Sequence, residues 1–177
     1  MLTEEMLAYV KSKIRDIPDF PSKGVLFKDI TPMLAEPRAF HVVLDALAHR
    51  FLGAHVDAVV GVEARGFIFG GALAARLNAS FVPARKPGKL PAEVDRVAYT
   101  TEYSTAELEV HKGSFERGAR VVVVDDVLAT GGTARAAANL VTNQGAEVIA
   151  YAFVIELAFL KGREVLAPGR IEAVLSY

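Results

Sequence analysis

Asp125 and Asp126 are adjacent carboxylates at the end of four consecutive valines, in the string "VVVVDDVLATGGT" at residues 121–133. A loop of small and hydroxylated residues follows closely: Ala129, Thr130, Gly131, Gly132 and Thr133. Glycines let backbone N–H groups close on an anion, a helix starting there adds its positive end, and two threonine hydroxyls add hydrogen bonds. The carboxylates repel phosphate. They are suited to accepting hydrogen bonds from a sugar's hydroxyls and to stabilising positive charge that develops on that sugar. The ligand this combination describes is a ribose 5-phosphate. A lone "TGG" would more readily be a Gly-rich turn beside solvated aspartates, so the reading rests on the whole string.

The elements that must hold these residues can be read from periodicity. Thr3 suits the N-cap of a first helix running to about residue 15, broken by "IPDFPSKG" at 17–24. The segment "VLFKDITPML" leads to a second helix over 37–52, with Pro37 in the first helical position. The continuous apolar run at 56–62 predicts a buried strand, followed by the helical "IFGGALAARL", and 79–85 predicts another strand. "RVVVVDD" is a third, ending at Val124 so that the aspartates emerge where the sheet runs out. "TARAAANLVTNQG" is its helix with Gly145 as stop, and "EVIAYAFVIEL" is a fourth strand. Alternating strands and helices predict a parallel sheet covered on both faces, with ligands at the carboxyl ends of its strands. Two stretches break the alternation. "RKPGKLP" at 85–91 reads as a basic loop, and residues 97–110 show period-two patterning, with Leu108 and Val110 alternating with Glu107 and Glu109, as in an exposed hairpin.

Composition bounds the function. With 177 residues, 52% of them hydrophobic and 23% charged, the chain has the size and apolar content of one domain with a real core. Twenty Lys and Arg against 21 Asp and Glu give a formal charge of −1, so there is no global basic field for nucleic acid and any anion site is local. The absence of cysteine excludes disulfides, thiolate chemistry and Cys-based zinc sites. No run approaches the ~20 apolar residues of a membrane span, and the amphipathic N-terminus lacks a signal-type apolar core, so a cytoplasmic protein is expected. No His/Asp/Glu cluster has the spacing of a dedicated metal site.

The string at 121–133 resembles the phosphoribosyl-pyrophosphate signature of the type I phosphoribosyltransferases. "DFPSKGVLFKDITP" (19–32), "GVEARGFIFG" (61–70), "RKPGKLP" (85–91) and "EYSTAELEV" (102–110) resemble, in the same order, the branch of that family that uses adenine, as does "ELAFLKGREVL" near the end. The resemblance covers nearly the whole chain. It implies a type I phosphoribosyltransferase-like α/β fold over residues 1–177, with an N-terminal base-binding hood (1–35) and a flexible hairpin lid (92–110). It implies a purine salvage reaction joining adenine to C1 of phosphoribosyl pyrophosphate, giving AMP and pyrophosphate through an oxocarbenium-like transition state.

The same resemblance implies residue roles. Asp125 and Asp126 hold the ribose 2- and 3-hydroxyls, and Ala129, Thr130, Gly131, Gly132 and Thr133 bind the 5-phosphate. Arg65, Arg85, Lys86 and Lys89, each by itself an ordinary surface cation, together serve the pyrophosphate. Part of the basic loop reaches a neighbouring subunit, which implies a homodimer. His111, a surface histidine on the bland reading, could also reach pyrophosphate. Leu26, Phe27 and Lys28 surround the base. Backbone N–H and C=O at Leu26 match adenine's N1 and 6-amino group and leave a 6-oxopurine unpaired. Lys28 stands where the family has arginine, keeping the charge without the fork. Glu102 manages the purine's imidazole protons, with Tyr103 helping to close the lid, while Glu107 and Glu109 face solvent. Magnesium is expected to arrive with the pyrophosphate and to meet the aspartates through water. The competing readings are a xanthine or hypoxanthine phosphoribosyltransferase, disfavoured by the base segment, and a non-catalytic phosphoribosyl-pyrophosphate sensor. For the latter, only 18 residues precede "DFPSKG", too few for a winged helix.

Overall fold

The computed structural model describes residues 3–100 and 105–177. Five parallel strands form the central sheet in the order β4–β3–β7–β8–β9. They are β3 (Ala58–Val62), β4 (Ser80–Ala84), β7 (Arg120–Leu128), β8 (Glu147–Glu156) and β9 (Ile171–Ser176). The strands of this sheet are apolar on both sides because both sides are covered. Val121 and Val123 pack with Ala134, Ala137 and Leu140 of α5 (Gly132–Asn143). Val122 and Val124 pack with Leu47 of α3 (Pro37–His49) and with Phe69 and Leu73 of α4 (Gly66–Leu77). Pro37 is the first residue of α3, and Gly145, at φ +83°, follows α5, as the punctuation predicts.

Several expectations are corrected. The first helix, α1 (Glu4–Ser12), is capped by Thr3 but ends sooner, because Arg15 opens a strand. That strand, β1 (Arg15–Pro18), pairs antiparallel with β2 (Leu26–Asp29) in a small separate hairpin, followed by the one-turn helix α2 (Thr31–Leu34). Neither strand has enough apolar content to announce itself. Cross-strand ion pairs, Arg15 with Asp29 and Lys28 with Asp16, tie them together. Strand β9 was also unread: six residues at the sheet's far edge, preceded by "APGR", carry little period of their own.

The hairpin of β5 (Val94–Thr100) and β6 (Thr105–His111) lies beside α5, and its inward face, Leu108 and Val110, joins the core. Its other face is not all solvent. Glu109 is 2% exposed, because the loop after β4 lies over it: Arg85 and Glu109 exchange backbone hydrogen bonds, and Gly88 N–H donates to Glu109 Oε2 at 3.0 Å. Arg96 Nη2 supplies the countercharge at 2.5 Å. Glu107 remains the more open member. Among the described residues no helix is long and apolar enough to cross a membrane.

Candidate active site

The carboxyl ends of β3, β7 and β8 meet at one edge of the sheet. The aspartates do not emerge beyond β7. The strand continues to Leu128, and Asp125 is in register with Phe153 of β8. Asp126 is 5% exposed. Asp125 Oδ1 accepts a hydrogen bond from the Asp126 N–H at 2.8 Å, and Gly66 leaves room for it, since a Cβ there would stand 3.0 Å from that oxygen. Burial, and then the charge of Asp126, push the Asp125 carboxyl well above the ordinary carboxylate range, against the pull of the Asp126 N–H and of Arg65.

Past Leu128 the chain forms the expected cup. Gly131, at φ +85°, caps α5 with its helical N–H groups open. A side chain there would meet Gly162 O at 2.7 Å, and one at Gly162 would meet Ala129 O at 2.2 Å. The first turn of α6 (Gly162–Leu166) therefore walls the cup, and the pair of glycines sets its width. The enclosed space is ≈ 60 Å³, lined by Asp125, Ala129, Thr130, Gly131, Thr133 and Phe153 among others. Gly132 opens α5 behind them. Thr133 Oγ1 lies 3.4 Å from the Tyr99 hydroxyl of β5, so the hairpin touches the cup's rim. Gly162 and Tyr99 went unread as site residues. Their partners are 30 or more residues away, although the segment containing Gly162 carries part of the family resemblance.

The cations divide into two groups. Arg65, at the N-terminal boundary of α4, has Nε 2.6 Å from Asp126 Oδ2 and its guanidinium 5.1 Å from the centre of the Phe27 ring. The Asp126 contact is a charge pair without the alignment of a hydrogen bond, and Oδ2 is buried with no aligned donor. One side chain thus joins the acidic pair to the β1–β2 hairpin. The basic loop behaves differently. Arg85 donates to Glu63 Oε2 from Nε at 3.2 Å and to the Lys89 carbonyl from Nη1, and the Lys86 N–H donates to the same Glu63 oxygen. Burial works to raise Glu63's pKa, but the Lys86 N–H and the Arg85 guanidinium outweigh it and hold the carboxyl below its ordinary range. Glu63, unread as a functional position, fixes the root of the loop. Lys86 and Lys89 are exposed, and among the described residues neither pairs with the aspartates.

At the hairpin, Leu26 is 49% exposed and Phe27 meets Phe20 edge-on at 5.1 Å. Leu26 lies opposite Pro18, which has no N–H, so its carbonyl takes no ladder bond from that partner. Lys28 does not share this surface: its Nζ is held by Asp16 Oδ1 at 2.7 Å and lies 4.0 Å from the centre of the Tyr177 ring. His111 is half-buried at the end of β6. Its Nε2 is buried without a partner, and its carbonyl accepts from Gln144 at the far end of α5, ~18 Å of helix from the cup. Glu102 and Tyr103 lie outside the described residues. Among those described, no group of three or more metal-binding side chains occurs.

The five-stranded parallel sheet carries a small cup beside an acid pair, and residues 32–165 match the model of the phosphoribosyl transferase domain family, which places the chain among the phosphoribosyltransferases. The chain is 68% identical over 165 residues to the adenine phosphoribosyltransferase of Sorangium cellulosum, covering 93% of this chain and 82% of that one. The crystal structure of adenine phosphoribosyltransferase from Rhodothermus marinus superposes with a TM-score of 0.94 at 45% identity, covering 99% and 100% of the two chains. That of the Saccharomyces cerevisiae enzyme, complexed with adenine and an imino-altritol bisphosphate, gives 0.91 at 38%, covering 97% and 99%. The chain belongs to the adenine phosphoribosyltransferase family.

Proposed function

We propose that the protein transfers the phosphoribosyl group of 5-phosphoribosyl 1-pyrophosphate to adenine. The C1–oxygen bond to pyrophosphate breaks, the bond from the purine's imidazole nitrogen to C1 forms, and the proton that nitrogen carried is released; AMP and pyrophosphate leave. The observation that carries this reading is Arg65, which spans from the buried acid pair to Phe27 and so places sugar chemistry and a purine-sized aromatic surface on one cation. The cup takes the 5-phosphate through Ala129, Thr130, Gly131, Gly132 and Thr133. Asp125 and Asp126 accept from the ribose 2- and 3-hydroxyls and stabilise positive charge growing at C1 and the ring oxygen. Arg65 exchanges Asp126 for the pyrophosphate, which frees the carboxylate for the sugar.

Leu26 offers its backbone to the Watson–Crick edge of adenine and Phe27 its ring to the face, so β1–β2 is the hood. Glu102, on the hairpin lid, takes the imidazole proton. The buried, unaligned Asp126 Oδ2 is a hard oxygen of the kind that fits a magnesium-bound water. Magnesium, brought by the substrate, supplies charge neutralisation of the pyrophosphate. Lys86 and Lys89, both exposed and, among the described residues, not paired with Asp125 or Asp126, serve the site of a second subunit in a homodimer. Freely diffusing substrates and products fit a cytoplasmic enzyme.

The test is chromatographic product analysis with adenine, guanine, hypoxanthine and xanthine, each offered with phosphoribosyl pyrophosphate and magnesium. AMP is expected, with 6-oxopurines turned over at least about a hundredfold more slowly, as for analogues that leave buried polar groups unpaired. Comparable hypoxanthine turnover would overturn the base assignment. Binding of phosphoribosyl pyrophosphate without any nucleotide product would favour a sensor.

A further inference from the structure

The β1–β2 hairpin pairs only with itself, and neither strand contains a buried residue. An element without buried side chains has little apolar packing to hold it in place. Reading a purine edge by backbone atoms nevertheless demands placement to well under ~1 Å, because small errors in position cost large factors in rate and discrimination. Buried Ile30 anchors the chain just past β2 and Arg65 touches Phe27, but burial within the two strands does not seat the hairpin on the sheet, so polar contacts must contribute.

Lys28 meets that need. Its side chain is 10% exposed, so the ammonium has lost most of its water and requires partners. Asp16, its cross-strand neighbour, supplies a carboxylate at 2.7 Å, which closes the hairpin on itself. The Tyr177 ring supplies a π face at 4.0 Å, which joins the hairpin to the sheet. The residue is anchored to the sheet: Tyr177 follows β9, its N–H donates to the Glu156 carbonyl of β8 at 2.9 Å, its own main-chain oxygen accepts from the Ala158 N–H at 2.9 Å, and its side chain is partly buried against the core. Lys11 of α1 lies 4.6 Å from the centre of the same ring, so helix, hairpin and sheet meet on one aromatic side chain.

We propose that Lys28 and Tyr177 form a latch that seats the base-recognition hairpin on the central sheet, and that both are positioning residues for adenine rather than contacts to it. The inference rests on the assignment of adenine to this hairpin. It explains why a lysine suffices at position 28: a point charge on a ring needs no planar fork.

The latch is tested first without substrate. Hydrogen exchange of the amides of residues 15–29 should quicken by about threefold to tenfold in Tyr177→Leu, the size expected for a cation–π contact with a largely desolvated ammonium. Tyr177→Phe keeps the ring and should exchange as the parent does. Lys28→Met, which also loses the Asp16 pair, should quicken exchange at least as much as Tyr177→Leu, and the double variant should be little worse than Lys28→Met alone, since both substitutions break one shared contact. Steady-state kinetics then links the latch to the base: Tyr177→Leu should raise KM for adenine by a similar factor, leaving KM for phosphoribosyl pyrophosphate and kcat within about twofold.

Unchanged exchange in both Tyr177→Leu and Lys28→Met would overturn the latch. So would equal rises in both KM values, which mean general loosening. A loss of adenine turnover in Lys28→Met with none in Tyr177→Leu would show that Lys28 acts on the base itself. If exchange responds as expected but the parent protein makes no AMP, the latch stands and the assignment of the reaction falls.

Discussion

At the scale of single residues, Asp125 and Asp29 are aspartates with opposite electrostatics. Asp125 is enclosed beside a second carboxylate, and burial more than the neighbour raises its folded pKa. Any stability it contributes is complete only below its unfolded value near ~3.9 and is lost as pH rises through the raised folded value, so above that folded value the charge is a burden. Asp125→Asn should therefore raise Tm, by roughly 2–4 °C for each ~1 kcal/mol of repulsion relieved, while lowering kcat/KM by at least about a hundredfold through loss of charge opposite the sugar. Scanning calorimetry and steady-state kinetics on one preparation check both. A variant less stable than the parent would remove the argument from burdened charge. Asp29 runs the other way. The Thr31 hydroxyl and N–H, followed by Arg15, hold it at about 2, so what it contributes is fully present above ~3.9 and is lost as pH falls from there through about 2. Asp29→Asn should lower Tm at pH 7 and approach the parent's behaviour near pH 2, in a melting series across that range.

At the scale of elements, Glu107 and Glu109 of the hairpin separate by what lies over them. Neutralised to Gln, Glu109 loses its charge pair with Arg96 and keeps one acceptor oxygen where it had two, for the Gly88 N–H and the Arg96 guanidinium together, and it is buried. Arg96 is half exposed, so the cost should fall below the ~3–5 kcal/mol of a fully buried pair, and Glu109→Gln should lower Tm by several degrees. Glu107→Gln, at an open pair with the same arginine, should change Tm and kcat little. Glu102→Gln should depress kcat without lowering Tm. Equal behaviour of Glu102→Gln and Glu107→Gln in kinetics would end the acid–base assignment.

The hairpin also shows how far sequence reading carries. Period two identified Leu108 and Val110 as inward, and it was silent on the loop that crosses Glu109, because that contact joins residues more than 20 apart. The aspartates were legible as a pair, yet their burial depended on β7 continuing past Val124, which only pairing with β8 decides. The cup was legible in full up to its outer wall, which α6 supplies from 30 residues downstream. Local chemistry was thus readable wherever the chain itself brings the groups together, and unreadable where the sheet or a distant loop does so.

At the scale of the whole molecule, β4 is, among the described residues, the edge strand of the sheet, bridged to β6 only past its end at Arg85, and its Phe81 and Ile68 of α4 are exposed apolar residues, Ile68 by 40%. Exposed edges and clustered apolar surface are where chains associate. The basic loop begins directly after β4, so a partner docked on this face would receive Lys86 and Lys89 near its own site. Light scattering should give twice the 19.0 kDa chain mass for the parent, and Ile68→Glu, harmless on an open surface but costly in an interface, should shift the mass toward one chain and reduce turnover. The sharper test mixes two inactive proteins after unfolding and refolding them together. One carries Lys86→Ala with Lys89→Ala, the other Asp125→Asn with Asp126→Asn. If the loop acts across the interface, each mixed dimer holds one site with intact aspartates and an intact loop from its neighbour. Half the dimers are mixed, so about a quarter of the parent activity should return. If the loop serves its own chain, every site in the mixture lacks one of the two sets and activity stays at the level of the separate variants, which would refute the crossed arrangement even with dimers present.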